Sequence, residues 1–125
     1  MQTPEELRYT SDHEWVQVRG ETVRVGVTDY AQDALGDVVF VQLPEVGSQN
    51  ELGATVSEVE STKSVSDIYA PLAGTIVAVN ERLNDSPELL NSDPYGDGWI
   101  FEMTLTDGDL GALLSAASYR ALTEA

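Results

Sequence analysis

The sequence predicts a mainly β domain, a flattened barrel or sandwich of short strands with small helices at its two ends. Three observations predict it: short runs in which apolar and polar residues alternate, Gly and Pro recurring between those runs, and helical spacing confined to the chain's ends and one short central stretch. A chain of 125 residues with 42% hydrophobic content fits a single domain over residues 1–125, burying roughly two thirds of its unfolded surface.

The elements follow in order. Thr3-Pro4-Glu5-Glu6 is a capping box with proline at the first helical position, which predicts one short turn of helix before Tyr9. In Trp15–Arg19 and Thr22–Thr28 the valines Val23, Val25 and Val27 alternate with Thr22, Arg24 and Gly26, and Gly20-Glu21 suits a two-residue hairpin turn. Thr28 or Asp29 can cap a short helix through Leu35, with Gly36 as its left-handed stop. Val38–Leu43 returns to strand, Pro44 and Gly47-Ser48 punctuate a turn, and Gly53 precedes an extended run from Ala54 to Glu60.

Val65–Tyr69 is rich in β-branched and aromatic residues and ends at Pro71. Gly74–Asn80 gives a further strand in which Ile76 and the valines are the natural core side chains. Trp99, Phe101, Met103 and Leu105 alternate with Ile100, Glu102 and Thr104, so this run is a strand with one strongly apolar face. After Asp107-Gly108-Asp109, the residues Leu110, Leu113, Leu114 and Ala117 recur at helical spacing, and Ser115 can cap a second short helix ending near Glu124.

Composition narrows the function. Asp and Glu number 22 against 6 Lys and Arg, a formal net charge of −16, which repels nucleic acid and anionic membrane surfaces and favours partners with basic faces. Cysteine is absent, which removes disulfides, thiolate metal sites and cysteine nucleophiles together. The start lacks the basic and apolar order of a signal peptide, and no apolar run reaches the length of a membrane span. The expectation is a soluble, cytoplasmic monomer.

Arg fills five of the six basic positions, Arg8, Arg19, Arg24, Arg82 and Arg120, so Lys63 is the only side-chain amine. A lone lysine is ordinarily a surface charge and a genome rich in arginine depletes lysine everywhere, so the context must carry any further meaning. That context is Glu58-Val59-Glu60-Ser61-Thr62-Lys63-Ser64-Val65-Ser66-Asp67-Ile68-Tyr69-Ala70-Pro71, two extended segments meeting at a polar tip from Ser61 to Ser64. Small hydroxyl residues at such a tip leave the amine open to a modifying enzyme, and the flanking strands fix where an attached arm begins. Acylation there would remove the charge and lengthen the side chain.

These residues resemble the lipoyl-bearing H proteins of the glycine cleavage system. The likeness runs through Ser11-Asp12-His13-Glu14-Trp15-Val16, Gly26-Val27-Thr28-Asp29-Tyr30-Ala31-Gln32-Asp33, Leu35-Gly36-Asp37-Val38-Val39-Phe40-Val41, the lysine segment, and Asn91 to Trp99. It implies a fold of the lipoyl-domain, barrel-sandwich hybrid type. It implies lipoic acid in amide linkage to Lys63, with Glu60 and Gly74 as features read by the lipoylating enzyme. The partners it implies are a pyridoxal-phosphate glycine decarboxylase that loads an aminomethyl group, a tetrahydrofolate-dependent aminomethyltransferase that takes it on, and a dihydrolipoyl dehydrogenase that reoxidises the arm. The chain itself would be a carrier and not an enzyme. Glu14 and Asp67 match the family's acidic positions in a cleft that receives the loaded arm, whereas Ala34 stands where some members carry histidine, so one polar contact is missing.

Other interpretations weigh less. Biotin carriers show methionines beside the lysine, where Thr62 and Ser64 stand here; lipoyl domains of 2-oxo acid dehydrogenases read Asp-Lys-Ala and are shorter. A carrier that relays lipoyl groups to other enzymes stays open. A Ser61–Lys63 hydrolase dyad would need a desolvated lysine and an oxyanion hole, which a polar tip does not supply. His13 alone makes a poor metal site, Asp93–Gly98 and Asp107–Asp109 lack the ligand pattern of a calcium loop, and Trp15 and Trp99 fit a core.

Overall fold

Residues 2–105, 110 and 113–124 are described in a computed structural model of the protein. Among the described residues nine strands form two sheets. The larger contains β1 (Arg8–Tyr9), β2 (Glu14–Arg19), β3 (Thr22–Val27), β5 (Gln49–Asn50), β8 (Gly74–Val79) and β9 (Phe101–Leu105), in the spatial order β1-β2-β3-β9-β8-β5. The smaller contains β4 (Val38–Gln42), β6 (Thr55–Ser61) and β7 (Val65–Tyr69), in the order β4-β6-β7. Neighbouring strands are antiparallel throughout. The two sheets do not close into a barrel, so the flattened sandwich is the form adopted.

Strand alternation builds the core, and in β8 it turns Ile76 and Val79 inward but leaves Val77 exposed, against the expectation that both valines of that strand face the core. Val16, Val23, Val25, Val27, Ile76, Phe101 and Met103 of the larger sheet meet Val38, Val41, Val59 and Ile68 of the smaller one, all buried; each such side chain contributes roughly 1.5–3 kcal/mol by leaving water. The opposite face of β2 is covered too. Trp15, which alternates with Val16, packs with Leu7, Tyr9, Ala116 and Tyr119 under helix α4 (Ala116–Glu124), and its indole nitrogen donates to the Pro94 carbonyl at 2.9 Å. Trp15 is thus a core residue, while Trp99 is half-buried with the Arg24 guanidinium 4.3 Å from its ring centroid.

Helix α1 (Asp29–Leu35) has the termini that its sequence calls for. The Thr28 hydroxyl accepts from the Ala31 amide, and Gly36 takes φ 79°, ψ −159°, a region that only glycine occupies without strain. Ser115 caps α4 in the same way, accepting from the Ser118 amide.

The N-terminal capping box gives a turn and no helix: the Leu7 amide reaches Pro4 O at 3.4 Å, and Arg8 and Tyr9 leave to pair with Val16 and Trp15. Helical spacing also misleads at Leu113 and Leu114, since the Tyr9 and Leu114 backbones bond to each other in both directions. Ala117 of that expected helix belongs to α4 instead, while residues 111 and 112 and the Asp107-Gly108-Asp109 turn lie outside the described residues. Two one-turn helices, α2 (Arg82–Asp85) and α3 (Leu89–Ser92), insert Leu83 and Leu90 into the core. No helix among the described residues is long and apolar enough to cross a membrane.

Candidate functional site

Strands β6 and β7 form a hairpin whose tip carries Lys63. The Ser61 amide donates to Ser64 O at 2.8 Å, closing the tip. The Ser61 hydroxyl accepts from the amides of both Lys63 and Ser64. Its oxygen is therefore spent on bracing the turn. A further bond anchors the tip to the body, since the Thr62 amide donates to Asp37 O at 3.0 Å.

Lys63 is exposed, yet its stem has a seat. A methyl group on Gly36 would lie 3.2 Å from Lys63 Cε and 3.5 Å from Cδ, so the aliphatic part of the lysine crosses the bare backbone at the end of α1. Asn91 on α3 fixes that backbone. Its Nδ2 donates to Gly36 O at 2.8 Å and to Gln32 Oε1 at 3.0 Å, while its Oδ1 accepts from the Val38 amide at 2.9 Å.

Beside this seat lies a hollow of about 160 Å³ lined by Tyr30, Ala31, Ala34 and Leu35 of α1, Ser66, Asp67 and Ile68 of β7, and Asp12 and His13. The Tyr30-to-Gly36 stretch covers about 9 Å at the helical rise, so the hollow starts one residue from the lysine stem and runs away from it. Its walls are apolar on the helix side and acidic at Asp12 and Asp67. His13 enters this wall with φ 69°, its ring 4.7 Å from that of Tyr30 and its Nδ1 2.7 Å from the Tyr119 hydroxyl. Burial lowers its pKa from the usual 6.5, favouring the neutral ring. The Tyr119 oxygen also lies 2.7 Å from Thr28 Oγ1, which links α4 to the cap of α1.

The sequence-derived residues are distributed unequally. Asp67 is exposed and lines the hollow with Ala34, so an apolar methyl stands on that wall. Glu14 does not share the hollow. It alternates with Trp15 and so faces the same way as Val16, toward the core, where it is 1% exposed. Its Oε2 accepts from the Tyr69 amide at 2.7 Å and its Oε1 from the Thr10 hydroxyl at 3.1 Å, and its carboxyl borders a separate recess with Ser11, Leu52 and Pro71. Burial is the main cause raising its pKa to about 7, opposed by the Tyr69 and Thr10 bonds. Glu60 is exposed on β6, opposite Phe40 and Val65.

Gly74 sits on the other sheet, buried, and pairs with Leu105 and Asn50. A side chain there would run into the Thr104 carbonyl and Met103 Cε, so the fold itself demands glycine. Seat and clamp, Gly36 and Asn91, were missed as site residues by sequence reasoning; the available signal was Gly36 standing as the stop of α1 just before the Val38 strand. Asp93–Gly98 forms turns, with the Asp97 amide bonded to Asp93 Oδ2, and no group of side chains suited to a metal occurs among the described residues.

The family model described as "Glycine cleavage H-protein" matches residues 7–125. The chain belongs to this family. It is 60% identical over 124 residues to a glycine cleavage system H protein of Nocardia farcinica, covering 94% of each chain. To the protein of the same name from Thermus thermophilus it is 57% identical over 125 residues, covering 99% of this chain and 98% of that one. A crystal structure of a glycine cleavage system H protein from Mycobacterium marinum superposes with a TM-score of 0.90 at 45% identity, covering 98% of this chain and 99% of the other. The expected sandwich and its family are thereby borne out.

Proposed function

We propose that Lys63 carries lipoic acid in amide linkage, and that the chain is a non-catalytic carrier of the aminomethyl group among three partners in the cytoplasm: the pyridoxal-phosphate glycine decarboxylase, the tetrahydrofolate-dependent aminomethyltransferase and the dihydrolipoyl dehydrogenase. The observation that carries this reading is the setting of Lys63: a sole side-chain amine on a closed hairpin tip, its stem seated on Gly36, which follows Leu35 in the wall of a hollow.

The residues fit an acyl arm. Lys63 Nζ is open to an acylating enzyme, and the bare Gly36 backbone leaves room for the stem. Once bound, the lipoyl group supplies a disulfide that can be reduced and carry a one-carbon unit. The chain's own part is positional. Tyr30, Ala31, Ala34 and Leu35 offer apolar surface that an arm can cover, and Asp67 offers a carboxylate to an ammonium at its end. Such a charge-assisted contact is worth about 1.5–3 kcal/mol, strong enough to bias docking and weak enough to release. The neutral ring that burial favours at His13 adds no competing positive charge to that wall.

Peptide mapping by mass after expression with lipoate tests the attachment, which should fall on the Lys63 peptide. Lys63→Arg keeps the charge and the fold and should abolish carrier function in a reconstituted glycine cleavage assay. Full activity of that variant would refute the reading.

A further inference from the structure

The outer face of the smaller sheet has chemistry that the carrier role leaves unexplained. Strand register sets Phe40 opposite Glu60 and Glu60 opposite Val65, and directly opposed residues of an antiparallel pair project to the same side. The next outward row is Gln42, Glu58 and Asp67. Between these rows Val41 and Val59 point inward and are buried. Phe40 is 49% exposed and Val65 56%, and Val39 at the β4 bulge is 53% exposed. Large apolar side chains thus stand in water within two or three residues of the lysine tip, interleaved with carboxylates.

The charge around this patch is one-sided. All five arginines lie elsewhere: Arg8, Arg19 and Arg24 are on the larger sheet, Arg82 on α2 and Arg120 on α4. Among the described residues the ion pairs engage Glu5, Asp97 and Glu102, leaving Glu58, Glu60 and Asp67 out of them. An apolar centre with an acidic border is complementary to an apolar contact with a basic border.

We propose that the Phe40–Glu60–Val65 row, with Val39 beside it, is the docking face for the enzyme that acylates Lys63, and that this enzyme presents an apolar contact ringed by Lys or Arg. The inference rests on the carrier reading of Lys63. Distance selects this partner among the others. An enzyme that acts on Nζ itself must close over the residues flanking the amine, whereas one that acts on the far end of an attached arm can dock an arm's length away. In the reaction the lysine nitrogen forms the new bond to an activated acyl carbon, the leaving group departs with its electron pair, and the ammonium gives up two protons to solvent.

The test uses the purified unmodified chain with a recombinant lipoate–protein ligase, lipoate and ATP, followed by intact mass. The double variant Phe40→Thr/Val65→Thr keeps strand-forming residues on the surface, and its kcat/KM for acylation should fall about tenfold or more through KM, the scale expected for losing two central apolar contacts. Glu60→Lys, which leaves the apolar pair intact, should also lower kcat/KM, in a salt-dependent way. Val18→Thr, on an exposed site of β2, should change nothing. Forced to full loading with excess ligase, the double variant should have its lipoyl disulfide reduced by NADH through dihydrolipoyl dehydrogenase at the wild-type rate. Acylation of the double variant at wild-type kcat/KM overturns the docking face, whatever Glu60→Lys does, and an equal loss in the dehydrogenase assay overturns its assignment to the acylating enzyme. If wild-type chain is not acylated at Lys63 at all, the carrier reading fails instead, and this inference falls with it.

Discussion

Glu14→Gln offers a test of the buried carboxyl that joins the two sheets. Glu14 lies on β2, accepts from the Tyr69 amide on β7, and is almost wholly removed from solvent. Burial raises its pKa from 4.5 to about 7, so over this interval the folded protein holds a proton that the unfolded chain has released. Stability contributed by the neutral carboxyl is therefore complete below about pH 4.5, declines as pH rises, and is spent above about pH 7. The gap corresponds to about 3 kcal/mol. Glutamine reproduces the neutral form: its Oε1 can accept from Tyr69 N–H and its Nε2 can donate to Thr10 Oγ1.

Urea unfolding of both proteins at several pH values and fixed ionic strength isolates this contribution, because every other carboxylate titrates alike in the two chains. The variant should match the wild type near pH 4.5 and exceed it by up to about 3 kcal/mol near pH 8. A stability difference that stays flat across this range would refute the reasoning, since it would mean that Glu14 titrates as an ordinary exposed acid.

Three further predictions concern the site. Asn91→Ala strips partners from the Val38 amide and the Gly36 carbonyl and should cost about 2–3 kcal/mol in urea unfolding, with faster hydrogen exchange at Val38. Gly74→Ala should destabilise by about 3 kcal/mol or more through overpacking against Thr104; a variant of unchanged stability but poor lipoylation would instead favour direct recognition of Gly74. Asp67→Asn should leave stability unchanged and still reach full lipoylation with excess ligase, while ammonia escapes from the loaded carrier about tenfold faster, the scale of one lost charge-assisted bond.

Much of this architecture is legible in the residues because period and punctuation agree. The alternation in Thr22–Val27, the Thr28 cap and the Gly36 stop each specify local backbone, and the tertiary structure keeps all three. Failures occur where long-range pairing overrides a local preference, as when Tyr9 joins Trp15 and Leu114 and the capping box before it shrinks to a turn. Strands of two residues such as Gln49–Asn50 have no period to detect, and one-turn helices such as Arg82–Asp85 have too few positions to reveal a face. At the site, the exposed tip is legible because small polar residues flank Lys63. The burial of Glu14 is not, because only the pairing of β2 with β3 decides which way an end-of-strand glutamate faces.

The bond from Thr62 to Asp37 and the Ser61 brace have a consequence for encounter kinetics. They tie the hairpin's end to the body of the protein, so that the anchor of anything attached to Lys63 is the lysine's own stem. A pivot fixed in this way keeps the moving end within a small shell around one corner of the molecule. Tethers of that kind present their cargo to a docked active site at an effective concentration on the order of millimolar, whatever the dilution of the protein itself. Were the hairpin loose, the same cargo would be spread through a larger volume, and each delivery would take proportionally longer.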